Sequence, residues 1–156
     1  MTAPQVLMVC LGNICRSPTA EAAVREAADD AGVRVEVRSA GTGSWHLGAP
    51  PDARMRRAAA ESGLTLGGTA EQVDAEAIAA ADLVLAMDSA NLAELHRLAE
   101  EHGLDTPIRR FREFDAEADG DLDVPDPYYG GEDGFREVVE MCRRAAHGVV
   151  ATLAER

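Results

Sequence analysis

The chain of 156 residues contains no lysine, so all 15 of its Lys/Arg-type cations are arginines. That absence excludes a Walker-type nucleotide loop, which needs its lysine on the β- and γ-phosphates, and it excludes Schiff-base chemistry. Positive charge is scarce overall, because 28 acidic residues leave a formal net charge of −13. Nucleic acid and anionic membrane surfaces bind through many cationic contacts, so neither is an expected partner. Any anionic ligand must be held by a few local donors. No apolar run is long enough to span a bilayer, and the N-terminus lacks the basic-then-apolar layout of a signal peptide. A cytoplasmic protein is the expectation, with export by another route left open. Cysteine is also sparse: Cys10, Cys15 and Cys142 are an odd, small set, which argues for reduced thiols rather than a disulfide framework. His46, His96, His102 and His147 show no i, i+4 or paired spacing, so no metal site is expected.

What is present suits one domain over residues 1–156. Val6–Val9 is a short apolar, partly β-branched run that reads as a buried strand. Ser17 is placed to N-cap a helix that opens on Pro18, runs to about Ala31 and ends near Gly32. Val33–Arg38 alternates apolar and charged residues, as an outer strand does. Ser39–Pro51 reads as a loop around Trp45 and His46, Asp52–Ser62 and Asp74–Ala80 as helices, and Asp82–Met87 as a third strand. An amphipathic helix with Leu92, Leu95 and Leu98 on one face follows Asp88, and Pro107–Phe111 is a fourth, short strand. Asp115–Asp126 is acidic and without regular pattern. Glu117, Asp119, Asp121 and Asp123 superficially resemble a calcium loop but lack its Gly, Glu and helix pair, so a solvated loop is expected. A last helix covers about Asp133–Ala154, with Phe135, Val138, Val139 and Cys142 inward. Strands alternating with helices at this spacing predict a three-layer α/β/α fold around a four-stranded parallel sheet. Ligands in such folds sit at the carboxyl ends of the strands.

The end of the first strand carries the chemistry. Cys10-Leu11-Gly12-Asn13-Ile14-Cys15-Arg16-Ser17-Pro18 places a thiol, five residues and an arginine between a strand and a helix. Backbone N–H groups of such a loop and the helix N-terminus can converge on one small anion. Positive surroundings lower a thiol from a pKa of ~8.5 to roughly 3.5–7.5, which makes it a nucleophile. The same donors would hold the equatorial oxygens of a phosphoryl group, with Arg16 bidentate and the sulfur in line for attack. Gly12 allows close backbone approach or a positive φ, and Asn13 tolerates a left-handed conformation. The Ser17 hydroxyl can donate to the thiolate as it departs. A departing phenolate or alkoxide needs a proton, and Asp126 is the candidate: Pro127 holds it extended, and Tyr128 and Tyr129 follow to wall a pocket. A lone strand-end cysteine is ordinarily a packing residue. The spacing to Arg16 and the Ser-Pro helix start set Cys10 apart, whereas Cys142 fits a core position.

Together "VCLGNICRSPTAE", "SAGTGSWHLGAPPD", "MDSANL" and "DPYYGG" resemble, in order and over nearly the whole chain, the low-molecular-weight protein tyrosine phosphatase family. The resemblance implies Cys10 as nucleophile, Arg16 as phosphate clamp, Ser17 as thiolate partner, Asn13 as loop organiser and Asp126 as acid, then base. Leu11, Gly12, Ile14 and Cys15 complete the phosphate loop. It also implies Trp45, Tyr128 and Tyr129 at the substrate pocket, and Cys15 as a redox partner able to form a reversible disulfide with Cys10. The implied protein is a monomeric phosphotyrosine phosphatase acting on phosphotyrosine-containing proteins, without cofactor or metal. One departure stands out. Many members carry a histidine behind the loop asparagine where this chain has Gly68, and an arginine where it has Glu71. That support is either missing or replaced, with Ser39 the candidate for a replacement.

Other readings are weaker on the residues. Arsenate reduction in this fold needs further redox cysteines downstream. The phosphoarginine branch tends to carry threonine where Ile14 stands. A passive phosphate-binding module would have no use for both a thiol and a distant Asp-Pro-Tyr-Tyr, and Cys10/Cys15 lacks the C-x-x-C spacing of thiol oxidoreductases.

Overall fold

A computed structural model describes residues 3–155, so positions 1, 2 and 156 of the expected domain lie outside the described residues. Four parallel strands, β1 (Gln5–Cys10), β2 (Glu36–Gly41), β3 (Leu83–Ala86) and β4 (Ile108–Arg110), pair in the order β2-β1-β3-β4. Period-two alternation divides the core into two layers. Val6, Met8 and Cys10 of β1 and Leu85 of β3 face a layer containing α1 (Arg16–Ala31), α2 (Ala53–Glu61) and α5 (Glu132–Ala154). Leu7, Val9, Val84 and Ala86 face Ile78 of α3 (Ala75–Ala80) and Leu95 of α4 (Ser89–Glu101). The expected three-layer α/β/α architecture is therefore the observed one.

The order of the strands positions the site. From central β1 the chain crosses to β2 on one side and later returns to β3 on the other. The carboxyl ends of β1 and β3 therefore open a crevice between diverging connections. Cys10 closes β1 at that crevice, and Asp88, the N-cap of α4, stands just beyond β3.

Three expectations are corrected. Ser17 is not a cap: α1 begins at Arg16 behind Cys15, which makes no side-chain cap hydrogen bond, and the Ser17 hydroxyl lies against the Cys10 sulfur instead. β2 starts at Glu36 rather than Val33, because its rung partner before Gln5 is Pro4. The Pro4 carbonyl accepts from Glu36 N at 2.9 Å, but proline has no N–H to return. Val33 and Val35 pack on the core without joining the sheet. Finally, the acidic segment after the 3-10 helix Phe111–Phe114 is not simply solvated. The Asp115 side chain is fully buried, bonded by Arg112 and Arg144, while Asp123 accepts from the backbone and hydroxyl of Ser89.

α5 approaches the 3-10 helix closely at Gly148, where a Cβ would stand 2.0 Å from the Phe114 carbonyl oxygen. The residue is there because backbone meets backbone. Gly148→Ala gains about 1 kcal/mol of helix propensity but forces this contact apart at a cost of about 1–3 kcal/mol or more. The expected outcome is a net loss of stability, read as a melting temperature lowered by several degrees in a calorimetric scan.

Candidate active site

Between Cys10 and Arg16 the chain wraps a tight loop pinned on several sides. The carbonyls of Cys10 and Leu11 accept from Thr42 N and Gly43 N, both at 2.9 Å, and the Ile14 carbonyl accepts from Asp52 N at 2.8 Å. The approach of Leu11 requires Gly41, since a Cβ there would lie 2.7 Å from the Leu11 carbonyl oxygen. Asn13 takes the left-handed conformation, φ 57°, as expected of an asparagine in a loop. Gly12, in contrast, does not use a positive φ. Its missing Cβ leaves room for His46, whose Cδ2 would be 3.0 Å away.

The Cys10 sulfur receives Asn13 N–H at 3.2 Å and lies 3.0 Å from Ser17 Oγ. Asn13 Nδ2 donates to Ser17 Oγ at 2.8 Å and to Ser39 Oγ at 3.0 Å, while its Oδ1 accepts from Glu71 N at 3.0 Å. The support missing at Gly68 is thus supplied by Ser39 and by the backbone, not the side chain, of Glu71. Glu71 reaches this place because residues 71–73 extend alongside the end of β2, with Gly41 N donating to the Glu71 carbonyl and Val73 N to that of Gly41.

Arg16 is 3% exposed, and its guanidinium is held from below and behind. Nη1 donates to Asp88 Oδ2 at 2.6 Å and to the Val124 carbonyl at 3.1 Å, and Nη2 lies 3.7 Å from Asp126 Oδ2. Burial opposes the guanidinium charge, but the Cys10 sulfur and the Asp88 and Asp126 carboxylates outweigh it and raise the Arg16 pKa. Asp88 has a double task, since its Oδ1 also caps α4 at Asn91 N, 2.7 Å. The sequence places Asp88 only at the entry to that helix.

Asp126 is fixed by a local turn, its Oδ1 accepting from Tyr128 N at 3.0 Å. The segment that delivers it is anchored by Val124 N to the Met87 carbonyl, 2.7 Å, and by Arg112 to the Asp123 carbonyl, 3.1 Å. Asp115 secures its start, accepting from both Arg112 and Arg144. Burial alone would push the Asp115 carboxyl up. Hydrogen bonds from Arg144, Glu117 N and Arg112 win, and hold it below its ordinary value.

These groups open on one cavity of about 400 Å³, with Cys10 and Arg16 at its floor and Asp126 at its edge. Trp45, His46, Tyr128 and Tyr129 form its walls. All three pocket residues expected from the sequence are therefore at the cavity, and His46, for which no role was expected, joins them beside Tyr128, ring centroids 5.9 Å apart. Trp45 is 74% exposed, yet its indole is folded over Gly43, where a Cβ would sit 1.9 Å from the ring. Tyr129 packs edge-on against Tyr128 at 5.0 Å. Of the remaining cysteines, burial first and then the charges of Asp52, Cys10 and Asp126 raise Cys15 far above an ordinary thiol. Cys142 is raised chiefly by burial. The arrangement suits a single tetrahedral oxyanion: one thiol, one guanidinium and the Asn13 N–H below, and a carboxyl group above.

A family model for low molecular weight phosphotyrosine protein phosphatases matches residues 5–156. A low molecular weight protein-tyrosine-phosphatase of Streptomyces coelicolor is 46% identical over 154 residues, 97% of this chain and 94% of its own. The human low molecular weight phosphotyrosine protein phosphatase is 36% identical over 142 residues, 89% of each chain. Among solved structures, a protein tyrosine phosphatase from Entamoeba histolytica superposes with a TM-score of 0.91 at 34% identity, covering 98% of each chain.

Asp115 provides a test of how the acid-bearing segment is held. Asp115→Ala leaves Arg112 buried without its carboxylate, and the expected cost is about 3–5 kcal/mol by denaturant unfolding. The pH dependence has a definite sign. Because the folded carboxyl binds its proton less tightly than the unfolded one, its stabilisation is complete above about pH 4 and is lost as pH falls. Wild type should therefore lose stability more steeply below that point than Asp115→Asn does.

Proposed function

The chain belongs to the low molecular weight phosphotyrosine protein phosphatase family, and from that premise we propose that it hydrolyses phosphotyrosine monoesters in proteins through a phosphocysteine on Cys10. The observation that carries the mechanism is the convergence of Cys10, Arg16 and Asp126, from a strand end, a helix start and a distant loop, on one cavity. In the first step the Cys10 thiolate attacks phosphorus in line as the bond to the tyrosine oxygen breaks. Arg16 and the loop amides take the charge of the three equatorial oxygens, and Asp126 gives its proton to the departing phenolate. In the second step Asp126 removes a proton from water, which attacks the phosphocysteine. The P–S bond breaks, inorganic phosphate leaves, and the electron pair returns to sulfur, where the Ser17 hydroxyl receives it.

Trp45, His46, Tyr128 and Tyr129 would grip the aromatic ring, a role favoured by the depth of the cavity and its aromatic walls. Ile14 lines the same cavity with an apolar side chain, which favours a phenyl ester over phosphoarginine. A redox role for Cys15 fits its place in the loop, but its suppressed ionisation would make attack on an oxidised Cys10 slow, since the thiolate is the attacking species. The reading is completed by a single domain acting as a cytoplasmic monomer without cofactor or metal. Its formal net charge is −13, and among the described residues no helix is long and apolar enough to cross a membrane.

Turnover of p-nitrophenyl phosphate and of a phosphotyrosine peptide tests the scheme. Cys10→Ser should abolish both, and quenched wild type should carry a phosphoryl adduct on Cys10 by mass spectrometry. Asp126→Ala should lower kcat by about 10²–10⁴ on the peptide, and by less on the nitrophenyl ester, whose better leaving group needs the proton less. Activity in Cys10→Ser would overturn the mechanism, and an unimpaired Asp126→Ala would remove the acid assignment alone.

A further inference from the structure

The segment that carries Asp126 has few ties of its own backbone to the rest of the fold. Upstream, Val124 N donates to the Met87 carbonyl at 2.7 Å, and downstream α5 begins at Glu132. Between them the hydrogen bonds are local: Tyr128 N to Asp126 Oδ1 at 3.0 Å, and Gly130 N to the Pro127 carbonyl at 2.9 Å. Among the described residues no hydrogen bond joins positions 125–130 to another element, and the ion pair of Asp126 with Arg16 is long, at 3.7 Å. The half-buried side chain of Tyr128 is the remaining tie.

That ring lies against a guanidinium. Arg54 of α2 places its Cζ 5.1 Å from the centre of the Tyr128 ring and 4.9 Å from that of Phe135, a buried residue of α5. A guanidinium plane stacks on aromatic faces and is drawn to their negative charge. Arg54 is itself fixed, since its Nε and Nη2 donate to Asp52 Oδ1 and Oδ2 at 3.1 and 3.0 Å, a two-pronged pair that sets the direction of the fork. Asp52 is only 13% exposed, caps α2 through Arg54 N and Met55 N, and donates its own N–H to the Ile14 carbonyl at 2.8 Å. A continuous path therefore runs from the loop of Cys10 through Asp52 and Arg54 to Tyr128, whose N–H holds the Asp126 carboxylate.

We propose that Arg54 is a positioning residue that moors the Tyr128 ring and so places Asp126 over the departing oxygen. This rests on Asp126 as the acid of the reading above, and Arg54 itself does not line the cavity. Two plainer roles have different consequences. A residue that only supported α2 would slow all substrates alike, and the cap of α2 survives loss of the Arg54 side chain, because Asp52 bonds backbone N–H groups there. A residue that only propped the pocket wall would weaken the binding of every aryl ester equally. Misplacing the acid instead penalises an ester in proportion to its need for a proton.

The test compares kcat/KM, which reports the step that releases the phenol, for phenyl phosphate and for 2,4-dinitrophenyl phosphate, whose phenolate leaves without a proton. Arg54→Leu is expected to lose about tenfold on phenyl phosphate, a part of the 10²–10⁴ or so that a general acid supplies, and less than about twofold on the dinitrophenyl ester. In an Asp126→Ala background, where no acid is left to place, the same substitution should cost less than about twofold on either ester. Equal losses on the two esters, no loss on phenyl phosphate, or an undiminished loss in the Asp126→Ala background would overturn the proposal. Should Arg54→Leu fail to fold, Tyr128→Leu removes the ring that Arg54 holds and must show the same selective loss, with equal losses again overturning it. The Asp126→Ala arm separates the two levels of inference. If that variant is impaired and Arg54→Leu is not, the positioning role alone falls, whereas an inactive wild type or an unimpaired Asp126→Ala removes the acid and the residue placing it together.

Discussion

A guanidinium buried to 3% exposure cannot remain unpaired, and much of the site can be understood as the consequence of placing Arg16 there. Its partners come from three directions. Asp88 brings the end of β3 and the first turn of α4, the Val124 carbonyl brings the segment after the 3-10 helix, and Asp126 faces it across the cavity. The residue that would clamp a phosphoryl group is thus also the one that draws the separate pieces of the site together. Because Asp88 divides its two oxygens between Arg16 and the cap of α4, the helix and the clamp share one carboxylate.

Asn13 has the corresponding place on the other side of the loop. Its positive φ turns the backbone N–H onto the Cys10 sulfur, and its carboxamide reads the end of β2, the 71–73 extension and the Ser17 hydroxyl at once. With a net charge of −13 the protein has no general positive field to offer an anion. Local order substitutes for it: one guanidinium, one helix N-terminus and a fixed set of donor directions.

Much of this was legible because it is local in sequence. Cys10, Arg16 and Ser17 lie within one loop, Asp126 is marked by Pro127 and two tyrosines, and the alternation of strands and helices gave the layers. What escaped depends on pairs far apart in the chain. Asp88 reads as a helix cap until Arg16 is seen beneath it, 72 residues away in sequence. Asp115 reads as one of many loop acids until Arg112 and Arg144 enclose it. The sequence offers Ser17 two places, a helix cap and a partner of the sulfur, and of these the structure keeps the second, its hydroxyl 3.0 Å from Cys10 Sγ. His46 has no spacing signal, since its place is set by the missing side chain of Gly12. The replacement behind Asn13 was half legible: Ser39 carries a side chain that can be guessed, but a backbone amide such as that of Glu71 carries no sequence signature.

The indole folded over Gly43 has an optical meaning. Trp45 is the single tryptophan of the chain, stands 74% exposed, and lines the cavity mouth. An indole so exposed should emit as a water-facing fluorophore already in the native state, leaving unfolding little to shift, while a ring entering the cavity would desolvate or quench it. The protein's intrinsic tryptophan fluorescence should therefore gauge occupancy rather than folding.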